Sequence, residues 1–258
     1  MRKNSYYDVD KIFLRNLTVR DIAEPLPSFD SGTPAEIVRP ILEKHHQQIA
    51  GVREYGFVTG YLTIEEIGEG PCSQFCHPIN EAIILSGNAH LSELVLALDQ
   101  VPFLFVKFLG EISGIVTRAD LDDPPVRMWL FGLITLIELR FLTLIESRFP
   151  ESGWEVYLSP QRLDKATALQ EERRRRNQDP RKLECLQFSD KAQIVLRDEQ
   201  LRQQVGFQSR RRGEQTIKSL EKLRNNLAHA QDIVSLDWST IVNLSENLEE
   251  VIEILSQE

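Results

Sequence analysis

Two stretches decide how the first half of this chain folds: AGVREYGFVTGYLTIEEI at residues 50–67 and LFVKFLGEISGIVTRADL at residues 104–121. Laid over each other without a gap, they are offset by 54 residues. Val52 then meets Val106, Gly56 meets Gly110, Gly60 meets Gly114 and Thr63 meets Thr117. The upstream pieces PAEIVRPILEKHH (34–46) and NAHLSELVLALDQ (88–100) keep the same offset, with helical apolar spacing such as Ile37–Ile41 and Leu91–Val95. The pattern predicts two copies of one unit: helix, strand, glycine turn, strand, polar start of another helix. The glycines serve the hairpin turn and a close backbone approach.

Downstream, LDDPPVRMW (121–129) reads as a joint. Two Pro fit neither a helix interior nor a central strand, but Pro starts a helix well, and Asp122 and Asp123 suit the cap region. After the joint nearly everything reads as helix. Helices are expected over 126–148, over 159–178 (Ser159 as cap, Pro160 at the first position), and over 189–205 from Ser189 to the stop at Gly206. A fourth starts near Gly213, and a fifth runs from Leu236–Asp237 to about Leu255 with Ile241, Leu244, Leu248, Val251 and Ile252 on one face. The expected fold class is α+β over residues 1–123, in repeats of about 16–68 and 72–123, followed by an all-α bundle over 124–258.

Composition narrows the function classes. The N-terminus lacks the apolar run of a signal peptide. The most apolar stretch, MWLFGLITLIELRFLTLI (128–145), is interrupted by Glu138 and Arg140 before the ~20 apolar residues of a membrane span. It reads as a buried helix, with Glu138 paired to the helix of Arg140 or to Arg224. Three Cys (Cys72, Cys76 and Cys185) are too few and odd for a disulfide framework, which points to a reducing, cytoplasmic setting. CSQFCH (72–77) has no second Cys/His pair to complete a metal site and reads as a loop. Net charge is −9 and uneven: residues 1–123 hold 10 Lys/Arg against 18 Asp/Glu, residues 124–229 hold 20 against 14. An anionic partner would meet the second half, although charge runs are usually solvated helix surface.

The repeat resembles the CBS domain, which normally occurs as a tandem pair. NLTVRDIAEP (16–25) is similar to the family's opening segment, and LGEISGIVTRADL (109–121) to its closing strand pair and helix start. The resemblance implies an adenine-type nucleotide held between the two units as a regulatory ligand. It assigns Thr117 and Asp120 to phosphate and ribose, chemistry that a hydroxyl, a helix start and a carboxylate can supply. Thr63 and Glu66 are the equivalents in the first unit, where Glu is one methylene longer, so one site is expected on Thr117 and Asp120. A Thr/Asp pair at a helix start is also a common capping arrangement.

In the second half, SLEKLRNNLAHAQDI (219–233) sits in the fourth helix. With Leu220 at 0° on a helical wheel, Leu223, Leu227 and Ala230 fall at about 300°, 340° and 280°, one core face. Asn225 and His229 fall at about 140° and 180°, opposite it, in a stripe with Lys218 and Lys222, and Arg224 lies on the flank near 40°. RNNLAH resembles the Arg-x4–6-His signature of HEPN domains, which are helical, usually dimeric and often metal-independent endoribonucleases. The resemblance implies Arg224, Asn225 and His229 as catalytic residues. His229 would move the proton of a 2′-hydroxyl or of the leaving oxygen, and Arg224 would offset phosphoryl charge. Arg224 and His229 are about 140° apart on one helix, so one copy converges poorly on a phosphate, and the resemblance implies a homodimer that brings two such helices together. The basic residues Arg173, Arg174, Arg175, Arg176, Arg210, Arg211, Arg212, Lys218 and Lys222 would hold RNA.

The expectation is a cytoplasmic homodimer in which an adenine-type nucleotide controls a ribonuclease that needs no cofactor or metal and meets no membrane. An active ribonuclease of this kind is expected to act as a toxin on overexpression, and an antitoxin or another protein is a candidate partner. The alternative is a non-catalytic regulator whose helical half binds RNA or a protein.

Overall fold

The structure is a computed structural model, and it describes residues 16–246. These fall into two compact units, one ending at Val126 and the other beginning at Arg127. Each is described by itself.

The first unit is α+β and holds the repeat. Its first copy consists of β2 (Ser28–Asp30), α1 (Ala35–Lys44), β3 (Ile49–Glu54) and β4 (Phe57–Thr63). Its second consists of β6 (Ile84–Ser86), α2 (Leu91–Gln100), β7 (Phe103–Phe108) and β8 (Glu111–Thr117). Two short strands are exchanged. β1 (Glu24–Pro25), ahead of the first copy, pairs with β8 of the second, and β5 (His77–Pro78), ahead of the second, pairs with β4 of the first. The sheets therefore read β2-β3-β4-β5 and β1-β8-β7-β6. Between the copies each sheet is apolar on both faces. Ile49, Phe105 and Ile115 pack sheet against sheet with Leu26, while Ala50, Val52 and Leu62 pack against Ala35, Val38 and Leu42 of α1.

The turn chemistry repeats with the strands. Tyr55–Gly56 and Leu109–Gly110 are left-handed pairs (φ 52° and 88°, then 52° and 92°), the geometry of tight hairpins. A Cβ on Gly60 would strike Cys76 Sγ and the His77 carbonyl, and one on Gly114 would crowd Phe108 and the Glu24 carbonyl. Both glycines lie where the exchanged strand crosses.

The 54-residue offset holds from β3 to β7 and from β4 to β8, but β2 and β6 and the helices ahead of those hairpins are 56 residues apart. Buried Ala35, Val38 and Leu42 correspond to Leu91, Leu94 and Leu98, an offset of 56. The chain absorbs the difference after the helix, with four residues between α1 and β3 and two between α2 and β7. Consequently Ile37 and Ile41 are not core: they are 52% and 36% exposed.

The second unit is helical. α3 (Pro124–Arg148) starts two residues earlier than expected, at the first Pro of the joint. By length and hydropathy it could cross a membrane, yet Trp129, Leu130, Leu133, Ile134 and Ile145 are buried within the protein. α4 (Pro160–Arg175) follows Ser159 as expected, though the Ser159 side chain makes no cap bond. The expected third helix is two: α5 (Phe188–Arg197) and α6 (Glu199–Gln204). Asp198 breaks them, because its carboxylate caps α6 through the Leu201 amide (2.9 Å) and accepts from the Tyr157 hydroxyl (3.0 Å). α7 (Arg210–Ala228) begins three residues before Gly213, capped by Ser209, whose Oγ accepts from the Arg212 amide. α8 (Ile233–Glu246) starts earlier than Leu236 and kinks at Asp237, with Ile241 and Leu244 inward. Leu248, Val251 and Ile252 lie outside the described residues. Glu138 pairs with Lys191 of α5 at 2.7 Å, not with Arg224 or the helix of Arg140.

Candidate functional sites

The first candidate site forms where β8 ends. The Thr117 backbone amide and hydroxyl both donate to Asp120 Oδ2 (2.6 and 3.0 Å), and Thr117 Oγ1 accepts from the Ala119 amide (3.2 Å). Asp120 Oδ1 accepts no bond among the described residues. Arg118, between them, points elsewhere and donates to the carbonyls of Leu98 and Asp99. A hydroxyl and a carboxylate are thus locked together at a strand end, with one acceptor oxygen to spare.

The first copy departs as its sequence suggested. Thr63 Oγ1 donates to Glu66 Oε2 (2.7 Å), and His77 Nε2 reaches the same oxygen (2.7 Å), but the Thr63 amide makes no bond to Glu66. The Thr63 hydroxyl and then His77 hold the Glu66 carboxyl below the usual carboxylate range. Thr18 and Asp21 form a third Thr-x-x-acid turn, with the Thr18 amide donating at 2.7 Å. The turn is therefore a recurrent capping device of this unit.

Electrostatics constrain what Thr117 and Asp120 can take. Asp122 and Asp123 follow directly. Burial, then repulsion by Asp120 and Asp122, pushes the Asp123 carboxyl up. A polyphosphate would enter against the carboxylates of Asp120 and Asp123.

No thiol here is arranged for metal chemistry. Cys72 is buried in the core against α1, Cys76 lies against Gly60, and desolvation raises both thiols. Among the described residues no group of His, Cys, Asp and Glu is arranged to hold a metal ion.

The second candidate site is the end of α7. Leu220 and Leu223 are buried and Leu227 is half-buried, as the wheel placed them. Asn225 and His229 are exposed, and Arg224 is half-buried. Ala230 departs from the expectation. The helix stops at Ala228, His229 is its C-cap, and Ala230 turns left-handed (φ 51°), so it is exposed rather than core. The wheel fails there because it extends an ideal helix past its last residue.

Sequence reasoning passed over three residues around this end. Asn226 is buried, and its Nδ2 donates to buried Asp237 at 2.5 Å. Lys222 Nζ reaches Asp237 Oδ1 (3.2 Å) and donates to the Leu236 carbonyl (3.0 Å). Arg127 donates to the carbonyls of Asn226, Leu227 and Gln231 (3.0, 3.2 and 2.9 Å). Asn226 sits near 240° on the wheel, at the edge of the core face, which was the available signal. Arg127 and Asp237 gave none, because their partners are distant in sequence or beyond the helix end. Among the described residues, the side chains of Arg224, Asn225 and His229 make no hydrogen bond or ion pair, whereas Lys222 and Asn226 are engaged.

The basic residues are divided. Arg174, Arg175 and Arg176 pair with Asp179, Glu171 and Glu172, and Arg210 pairs with Glu214. Arg173 is half-buried, and Arg211, Arg212 and Lys218 are exposed. A cleft of about 460 Å³ in this unit is lined by Phe141, Phe207, Leu220 and Leu244, with Thr216 and Ser219 on α7, and does not include Arg224, Asn225 or His229.

No family model matches the chain, and no curated protein is similar to it. Solved structures are similar to the N-terminal ~40% of it. Those structures are CBS domain pairs. One holds the CBS domains of a transcriptional regulator from Streptococcus pneumoniae (14% identical, covering 41% of this chain and 97% of that one, TM-score 0.36). Another is the CBS domain of a CBS domain-containing membrane protein from Sphaerobacter thermophilus (15% identical, 45% and 91%, TM-score 0.37). A third is a CBS domain pair in complex with 5′-methylthioadenosine and S-adenosyl-L-methionine (18% identical, 41% and 92%, TM-score 0.35). The chain is thus an α+β region similar to CBS pairs followed by a mostly helical one.

Proposed function

We propose that this protein is a ligand-sensing regulator whose α+β unit binds an adenosine-type molecule at Thr117 and Asp120. One observation carries the reading: Thr117 and Asp120 are locked by two hydrogen bonds to one carboxylate oxygen, which leaves Oδ1 to accept from ribose hydroxyls. The adjoining Asp123 favours a ligand of low negative charge. Calorimetry is expected to show adenosine or the cationic S-adenosyl-L-methionine binding more tightly than ATP, with the gap narrowing in Asp123→Asn. Thr117→Ala and Asp120→Ala should each weaken binding roughly tenfold, the worth of one or two lost hydrogen bonds to a charged group, and Glu66→Gln less than about twofold. Absence of binding by adenosine, AMP, S-adenosyl-L-methionine and ATP alike would sink the reading.

The helical unit would be the effector, and metal-independent RNA cleavage is the finer form of that reading. It is favoured by the unengaged side chains of Arg224, Asn225 and His229 beside engaged neighbours. One copy of α7 converges Arg224 and His229 poorly on a phosphate, so two copies of the chain would share a site. His229→Ala is expected to lower cleavage of a mixed RNA substrate about 10²- to 10⁴-fold, the usual worth of a general acid or base. Wild-type protein that cleaves no faster than this variant, with or without adenosine, leaves the non-catalytic regulator as the function.

A further inference from the structure

We propose that the cleft bordered by α3, α7 and α8 binds a small carboxylic acid with an apolar body, held by Arg140. The cleft lies wholly within the helical unit. It needs neither the turn at Thr117 nor RNA cleavage.

Near the turn that joins them, α7 and α8 are pinned together by Asn226 and Asp237. Farther along the pair the facing positions change character. A packed helix face carries apolar residues at i, i+3 and i+4. Here Thr216 and Ser219 stand before Leu220 on α7, and Thr240 and Asn243 before Leu244 on α8. The Thr216 hydroxyl donates back to the Arg212 carbonyl (3.2 Å), and the Asn243 amide to the Ser239 carbonyl (2.5 Å). Short polar side chains that bond to their own helix leave the seam unfilled, and about 460 Å³ stays open. That is the size of a small-molecule site.

The inner wall is apolar. Phe141, Leu220 and Leu244 are buried, and Ile137 and Phe207 are half-buried. The mouth is polar, with Gln215, Ser219 and Ser239 exposed, which suits a small molecule arriving from water better than the apolar core of a protein interface. Among the described residues that line the cleft, Arg140 is the one charged side chain. It shares a face of α3 with Ile137 and Phe141, at spacings of three and four residues. The acid closest to it in sequence, Glu138, lies about 200° around the helix and pairs with Lys191 at 2.7 Å. A guanidinium carries five donors in a planar fork, so it can take a carboxylate on two of them and keep another partner. One cation beside an apolar wall is complementary to one anion on an apolar body. Burial of the body supplies affinity, and the fork fixes its orientation.

Calorimetry on the full-length chain with octanoate and with 1-octanol tests the site. Octanoate should bind one-to-one and at least about tenfold more tightly than 1-octanol. Arg140→Met keeps an apolar side chain on the wall and should lose that preference, with 1-octanol affinity within about twofold of wild type. Arg140→Lys keeps the charge without the fork and should retain part of the preference. Ser219→Phe, at an exposed position, should fill the cleft and weaken both probes at least about tenfold. Equal affinity for the two probes, or undiminished preference in Arg140→Met, overturns the role of Arg140. Absence of octanoate binding, or binding that Ser219→Phe leaves intact, overturns the site. If Arg140→Met does not fold, as read by urea unfolding, the two probes on wild type and Arg140→Lys decide the same question.

Discussion

Replacing Glu138 by Leu is expected to lower the unfolding free energy by about 3 kcal/mol, more than its place on the partly exposed side of α3 suggests. The reason is its partner. Lys191 is 4% exposed, and its Nζ donates to Glu138 Oε1 at 2.7 Å. It lies one turn from Phe188, which stacks on Phe141. Removing the carboxylate leaves an ammonium buried among apolar groups, which costs far more than the pair itself contributes. The double variant Glu138→Leu/Lys191→Met should recover at least half of the loss, because it removes the stranded charge and keeps the volume. Urea unfolding at neutral pH, repeated at high salt, checks this. A buried pair should lose little to screening, so a loss below about 1 kcal/mol would mark the pair as a solvated one.

The second large effect is expected at Asp237. Its carboxylate is 3% exposed, accepts from Asn226 and faces Lys222, and its backbone leaves helical geometry (φ −134°, ψ 17°). Asp237→Ala strands the buried Asn226 amide and should cost about 2–4 kcal/mol. Lys222→Met should cost less, about 1–2 kcal/mol, since that side chain is 55% exposed and the buried Asp237 carboxylate keeps its bond from Asn226. The contrast separates a buried hydrogen bond from a surface charge, and thermal melts of the two variants measure it. Equal losses would mean that the ion pair, not the amide contact, holds α8 against α7.

Residues whose partners are close in sequence were legible. The strand repeat, its hairpin glycines and the close approaches at Gly60 and Gly114 follow from steric rules that act over a few residues. So does the wheel of α7 as far as Leu227, with Asn225 and His229 on the wet side. The Thr117–Asp120 turn was legible as a cap. What misled was continuity assumed where the chain makes a local exception. The gapless offset ran on into the helices and placed Ile37 and Ile41 inward, although two extra loop residues rotate the true core face to Val38 and Leu42. The third helix ran through Asp198, a residue with no turn signature until Tyr157 and the Leu201 amide are known to meet it.

Other features depended on surfaces that only the folded chain brings together. Pairing of Glu24 with Ile115, of Glu138 with Lys191 and of Arg127 with the carbonyls of α7 spans stretches that no periodicity connects. Composition read the acid in the apolar helix as needing a cation but could not name it, because Lys191 looks like an ordinary surface residue of KAQIVLR until α5 is found buried on nearly every side. Local stereochemistry thus determined the elements, the turns and the exposed motif. Burial, which decides which charges must be paired and which caps must be clamped, exists only after the elements have packed.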